Sequence, residues 1–244
     1  MEQRAYEAQL QGRGNGHPAP GQDSSLPCAG HLDKLFHCRT LRVVPPQYAV
    51  YSQGENPHTV CLVCGGLVKL THTEHDGKRV IVGLRHKGWM LGAVSLLQNT
   101  PYETTAETVT RSKLCFVPEE ILRRELDSNA ELSRWMLTML SEGLRASMIS
   151  ISEQALLSGR QRLVNFLWKL ACARNGFDQE KPLKIQMVLK HWEVAQLLAL
   201  TPQHLCRLVR QLEKDGVIWR KNGWLIVPDL ERIRPAETGS FGTS

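Results

Sequence analysis

At 244 residues the chain is long enough for two modest domains, each burying its own core. A formal charge of +6 and a pI near 9.0 suit a polyanionic partner, and the absence of any run of 18 apolar residues excludes a membrane-spanning helix. No apolar signal-peptide core precedes the polar start, so the expected location is the cytoplasm. There, seven irregularly spaced cysteines are expected as thiols, ligands or core residues rather than as a disulfide set.

Residues 1–30, with the stretch GRGNGHPAPGQDSSLP, read as a disordered tail. A sensor domain is expected over residues 31–128. It opens with a short helix at His31 to His37, followed by turn signals at Pro45-Pro46, Gly54, Gly65-Gly66, Asp76-Gly77 and Gly88. Between the turns lie strand-like segments at Tyr48 to Tyr51, Thr59 to Val63, Leu67 to Thr73 and Arg79 to Leu84. Two more follow at Glu103 to Thr110 and Lys113 to Val117. Short strands at this spacing mean an antiparallel sandwich or roll.

Pro118 changes the period. Glu119 to Leu126 predicts a short helix, and a much longer one occupies residues 129–156. Along it Leu137, Leu140, Leu144, Met148, Ile151 and Ala155 repeat as a coiled-coil seam. Leu132, Met136, Met139, Gly143 and Ala146 form a second apolar strip. Two strips need two partners: the roll, and the same helix of a second chain. Burial of both within one chain is the competing interpretation.

Residues 157–234 form the third region. Ser158 to Arg174 predicts a helix with Leu163, Phe166, Leu167 and Leu170 facing inward, and Leu183 to Leu189 a strand. The segments Trp192 to Leu198 and Leu205 to Leu212 are helical and joined across Ala199 to Thr201, too short a gap for an independent loop. Thr201 supplies a hydroxyl cap and Pro202 the first helical position. The helix ends at Asp215-Gly216, and Ile218 to Val227 reads as two strands around Asn222-Gly223. Helix, turn, helix and hairpin make a winged helix-turn-helix, followed by a polar tail at residues 235–244.

Such a unit places the first turn of its second helix against base edges in the major groove and its hairpin near phosphate. Gln203 and Arg207, one turn apart, are the base-reading candidates, glutamine for adenine and arginine for guanine. Arg210, Arg220 and Lys221 are phosphate candidates, and Thr201 and His204 complete the expected interface. A basic face that is merely solvated is the competing interpretation.

The order of parts resembles the cyclic-AMP receptor / fumarate-nitrate regulator superfamily of bacterial transcription factors. The resemblance is carried by Gly54 in YSQGEN, GGLVKL at Gly65 to Leu70, LGAVSLL at Leu91 to Leu97, and LTPQHLCRLVRQLEKDGVI. It implies an α+β chain: an N-terminal antiparallel β-roll of the cyclic-nucleotide-binding jelly-roll type, a long dimerisation helix and a C-terminal winged helix-turn-helix. It also implies a homodimer on a near-palindromic operator in double-stranded DNA, with reader helices about one turn (~34 Å) apart. RNA polymerase and a small effector, its identity unknown, are the further partners implied, with the effector biasing the dimer helix. The candidate effector pocket is Gly92, Ala93, Glu103, Thr104, Ser147 and Met148.

Two departures argue against cyclic AMP itself. Ala93 stands where cyclic-nucleotide binders of this family carry a glutamate for the ribose. Glu103-Thr104 stands where an arginine-serine pair holds the phosphate, and a carboxylate there repels a phosphodiester. Gln203 replaces a common glutamate, so the family's usual half-site is not assumed, and Ala199 stands where many relatives place a turn glycine.

Iron-sulfur members of the family hold a cluster with three N-terminal cysteines and one in the roll. Cys115 matches the latter, but only Cys28 and Cys38 precede the roll, and a cluster wants four thiolates. The alternative, an iron-sulfur or haem redox-sensor regulator, uses Cys28, Cys38 and Cys115, against a plainer interpretation of Cys115, Cys172 and Cys206 as buried hydrophobes. Cys61 and Cys64, three apart in a strand, point to opposite faces and cannot grip one ion without a turn. His72-Thr73-Glu74 resembles a zinc-deaminase step, but its cysteines precede it instead of following. No metal ligand set and no catalytic residue are assigned, and the expected protein is not an enzyme.

Overall fold

Short alternating segments bury their apolar sides only by pairing. In the computed structural model, which describes residues 40–174, 182–221 and 223–235, they pair as antiparallel sheets. The expected tails, the helix at His31 to His37, Cys28, Cys38, the side chain of Cys172 and Asn222 lie outside the described residues. The chain divides into two units, the boundary falling between Ala146 and Ser147.

The first unit contains strands β1 (Thr40–Val44), β2 (Ala49–Tyr51), β3 (Thr59–Gly65), β4 (Val68–Thr73), β5 (Arg79–Arg85), β6 (Met90–Leu91), β7 (Thr105–Thr108) and β8 (Ser112–Pro118). Helix α1 (Ala93–Gln98) follows β6, and α2 (Glu119–Ser128) follows β8. One sheet has the order β1-β8-β3-β6 and the other β2-β7-β4-β5. This is the expected roll, with three elements that the sequence pattern did not show: β1, β6 and α1. The first two are short or at a sheet edge. The helix spans six residues, entered through Gly92 at φ 80.

Strand β3 is apolar on both sides because it divides two cores. Cys61 and Val63 face inward between the sheets with Val68, Leu91, Ala106 and Leu114. Val60 and Leu62 face outward onto Leu96, Leu122, Leu132, Trp135, Met136 and Met139. Cys64 packs against the second cluster, so Cys61 and Cys64 serve different cores, as the strand period requires.

Asn129 ends α2 and starts α3 (Ala130–Leu156): its side-chain oxygen accepts from the backbone N–H of Glu131 and Leu132, each at 3.1 Å. The two strips of α3 have different fates. Leu132, Met136 and Met139 are buried on the roll, while Leu137, Leu144, Met148 and Ile151 are 66%, 65%, 60% and 68% exposed. Ala146 departs from its strip and is exposed.

The second unit holds α4 (Gly159–Arg174), β9 (Leu183–Gln186), α5 (His191–Leu197), α6 (Pro202–Lys214), β10 (Trp219–Lys221), β11 (Trp224–Val227) and a 3-10 turn (Leu230–Ile233). Strand β9 stops short of the expected Leu189 and joins the hairpin as a third strand, in the order β10-β11-β9. Leu163 and Leu167 of α4, Val194 and Ala195 of α5, Leu205 and Leu212 of α6 and Ile218 fill its core.

Candidate nucleic-acid interface and effector cleft

Helix α5 begins with a cap supplied from its own first turn. The Glu193 side chain, itself buried, accepts from the Lys190 N–H at 2.7 Å, satisfying a donor that the first turn would orphan. It ends in a left-handed cap at Ala199, φ 49. The Ala199 N–H donates to Gln196 O at 3.0 Å and the Leu200 N–H to Ala195 O at 2.9 Å. An alanine there carries the left-handed strain that glycine avoids, which explains the turn glycine that the resemblance leads one to expect. The tight turn delivers Thr201, whose hydroxyl oxygen accepts from the His204 N–H at 3.1 Å, with Pro202 at the first helical position.

Helix α6 closes in the same way. Gly216, φ 67, donates to Glu213 O at 3.0 Å, and Val217 donates to Leu212 O at 2.9 Å. Leu205 and Leu212 are buried, whereas Gln203, Arg207, Arg210 and Lys214 are exposed. Gln203 and Arg207 thus share an open face at the N-terminal half of the helix. His204 is half-buried, and its ring lies beside Gly159 of α4 together with Leu200 and Leu208.

On the wing, Lys221 and Trp219 are exposed. Arg220 is committed: Nε donates to Glu213 Oε1 at 2.7 Å and Nη2 to Oε2 at 2.8 Å, a bidentate fork tying wing to reader helix. The Arg220 fork holds the Glu213 carboxyl below the usual carboxylate range, and Glu213 in turn raises Arg220. The stability that the pair lends is therefore present above the ordinary glutamate value. It is lost as pH falls through the lowered folded value. The fork was not legible in sequence, because the partners sit on different elements.

In the roll, Glu103 and Thr104 line a cleft of about 690 Å³ with Gln53, Gly54, His72 and Tyr102. His72 is held by Glu103 O at 2.8 Å and Glu74 Oε1 at 3.2 Å from its two ring nitrogens. Gly92 and Ala93 stand at the entry to α1. A side chain at Gly92 would meet the Tyr102 ring at 2.9 Å, and Ala93 is buried. Tyr102 is fixed by its hydroxyl, which donates to Thr59 O at 2.8 Å, and by stacking on Tyr51 at 3.9 Å. The two remaining pocket candidates, Ser147 and Met148, belong to the other unit and are exposed.

Ala93 is buried outside the residues that line the cleft, and Glu103 is one of those that line it. Cys115 is buried between sheet and helices. Among the described residues no three His, Cys, Asp or Glu side chains converge as a metal site.

Residues 41–129 match the cyclic nucleotide-binding domain family, and residues 161–236 match the Crp-like helix-turn-helix domain family. The chain is 22% identical over 189 residues to the CRP-like cAMP-activated global transcriptional regulator of Mycobacterium tuberculosis, covering 78% of this chain and 84% of that one. It is 28% identical over 171 residues to the global nitrogen regulator of Synechococcus elongatus, covering 69% and 77%. The solved structure of the c-di-GMP responsive global regulator CLP of Xanthomonas campestris has the same fold, with a TM-score of 0.72 at 20% identity over 82% of this chain and 99% of that one. No helix among the described residues is long and apolar enough to cross a membrane. With a cyclic nucleotide-binding-type roll, a long helix and a Crp-like reader in this order, the chain belongs to the cyclic-AMP receptor / fumarate-nitrate regulator superfamily of transcription regulators.

Proposed function

We propose that the protein is a cytoplasmic homodimeric regulator without catalytic activity. It reads a near-palindromic operator and answers to a small effector, other than cyclic AMP, held in the roll. The observation that carries the DNA-reading part is the shared exposure of Gln203 and Arg207 on the first two turns of α6, beside the exposed Lys221 of the wing. Gln203 and Arg207 reach base edges; Thr201, His204, Arg210 and Lys221 attend the phosphates. The exposed strip of α3 supplies the dimer contact, each leucine, isoleucine or methionine contributing about 1.5–3 kcal/mol when fully covered. RNA polymerase is the onward partner.

Sites are first selected from genomic fragments with purified protein. Arg207→Ala should then lose about 1–3 kcal/mol on the selected duplex and little on random DNA, relaxing sequence preference. Lys221→Ala should weaken all duplexes alike and reduce the salt slope by about one. Equal losses on selected and random DNA for Arg207→Ala would contradict base reading.

Arg220 reaches phosphate only on release from Glu213. Glu213→Gln is therefore expected to raise affinity for every duplex and to steepen the slope of log K against log salt by about one. An unchanged slope would show that Arg220 stays off the backbone.

A further inference from the structure

Two residues, Leu157 and Ser158, separate α3 from α4, and local chemistry fixes the corner that they make. Ser158 and Gln161 form a capping box. The Gln161 N–H donates to Ser158 Oγ at 3.3 Å, and Gln161 Oε1 accepts the Ser158 N–H at 2.9 Å. The last turns of α3 are also tied to α4 through Glu153, whose Oε1 accepts from Lys169 Nζ at 2.8 Å and from Asn165 Nδ2 at 3.3 Å. Residues from Ser147 onward belong to the DNA-reading unit. The corner, the exposed Met148 and Ile151, and α6 therefore lie in one unit.

The last four carbonyls of a helix have no partner within it. At the end of α3 the Leu157 N–H serves Glu153 O at 3.0 Å, and Gln154 O is met from α4, by Arg162 Nη1 at 2.9 Å. The same guanidinium reaches the turn ahead of α6, where Nη2 donates to Ala199 O at 3.5 Å. That carbonyl is short of a local donor, because the residue three positions on is Pro202, which has no N–H to close the turn. Arg162 is half-buried, and its Nε is enclosed without a partner among the described residues. The start of α4 is seated on α6 without slack. A side chain at Gly159 would stand 2.9 Å from Leu200 and 3.3 Å from both His204 and Leu208.

One residue of α4 thus bridges the end of α3 and the left-handed turn that delivers α6. A partly enclosed charge with an unmet donor is a poor stabiliser, and an apolar side chain of similar volume would serve stability as well. What an aliphatic chain cannot supply is a planar fork held between two carbonyls. We propose that Arg162 is a positioning residue for two-site DNA reading: it sets the angle between the end of α3 and α6, and with it the half-site spacing that a dimer accepts. The inference rests on the homodimeric reading above. In a dimer paired along Met148 and Ile151, the path toward the bases runs through Gln154, Arg162, Ala199 and Thr201. Joining two DNA-reading units raises affinity only as far as geometry lets both engage at once. Loosening the bridge leaves each unit intact, lowers that effective concentration, and lets the pair tolerate other spacings.

The test uses the full chain as parent, Arg162→Met and Arg162→Lys. Each is titrated with a single half-site, with two half-sites at the selected spacing, and with that duplex carrying one base pair more or fewer at its centre. Sedimentation velocity gives the oligomeric state and thermal unfolding the stability. Both variants should remain dimers and bind the single half-site within about twofold of the parent, because the base-reading side chains are untouched. Arg162→Met should bind the paired site about 10-fold more weakly. It should also lose less than the parent does when a base pair is added or removed. Arg162→Lys should behave as Arg162→Met, since one ammonium does not replace a fork across two carbonyls.

Unchanged affinity and spacing preference in both variants would overturn the proposal. So would equal losses on the single and the paired site with a lowered unfolding temperature, the mark of a residue needed only for folding. Full rescue by Arg162→Lys would overturn the bridge. A parent that is monomeric, or that gains nothing from a second half-site, removes the homodimeric reading and this inference with it. A dimeric parent with a spacing preference that both variants share removes the role of Arg162 alone.

Discussion

Leu144→Glu combined with Ile151→Glu should convert the protein to a monomer and lower affinity for a two-half-site operator by about 10²- to 10⁴-fold, the advantage of joining two readers in one molecule. Both side chains are about two-thirds exposed in the single chain, so neither substitution opens a cavity. The damage is expected at the proposed contact between copies, where a pair of glutamates facing their symmetry mates would be desolvated without counter-charges. Sedimentation velocity gives the mass and binding to the selected duplex gives the affinity. A dimer that persists with full affinity would show that the exposed strip of α3 is not where two chains meet. Some loss of thermal stability is expected as well, because dissociation removes the mass-action contribution of the partner.

Leu212→Ala should cost the DNA-reading unit about 2–5 kcal/mol, the usual range for emptying a fully buried leucine site. That is a large part of the whole stability of a small domain, about 5–15 kcal/mol. Leu212 also accepts the Val217 N–H at 2.9 Å in the cap that turns the chain from α6 into the wing. The alanine keeps that carbonyl but loses the packing that seats the last turn of the helix. Calorimetry should show the transition of the DNA-reading unit moving down while that of the roll is unchanged, with duplex binding lost in parallel. A single unchanged transition would mean that α6 is not held through Leu212.

The helix-turn-helix and the exposed apolar strip of α3 were legible because their signals are local. Thr201-Pro202 states a helix start in two adjacent residues, and a cap needs nothing farther than the first turn. The period of Leu137, Leu144, Met148 and Ile151 is a property of one helix, and all four are exposed. The opposite faces of Cys61 and Cys64 followed from strand geometry alone, and the two cores on either side of β3 agree with it.

What the chain order concealed depends on distant residues meeting. Helix α1 and strands β1 and β6 are too short to show a period, and they stand because β8, β3 and Tyr102 pack against or beside them. Arg220 reads as a free phosphate contact until Glu213, seven residues earlier on another element, claims its guanidinium. Arg85, one residue beyond the expected strand Arg79 to Leu84, extends β5, and its register with Val68 turns it inward onto Trp89. Periodicity and capping act over a few residues and survive as patterns. The pairing of a charge, or its lack of a partner, is set by which strands close the roll, and that information lies in no single stretch of sequence.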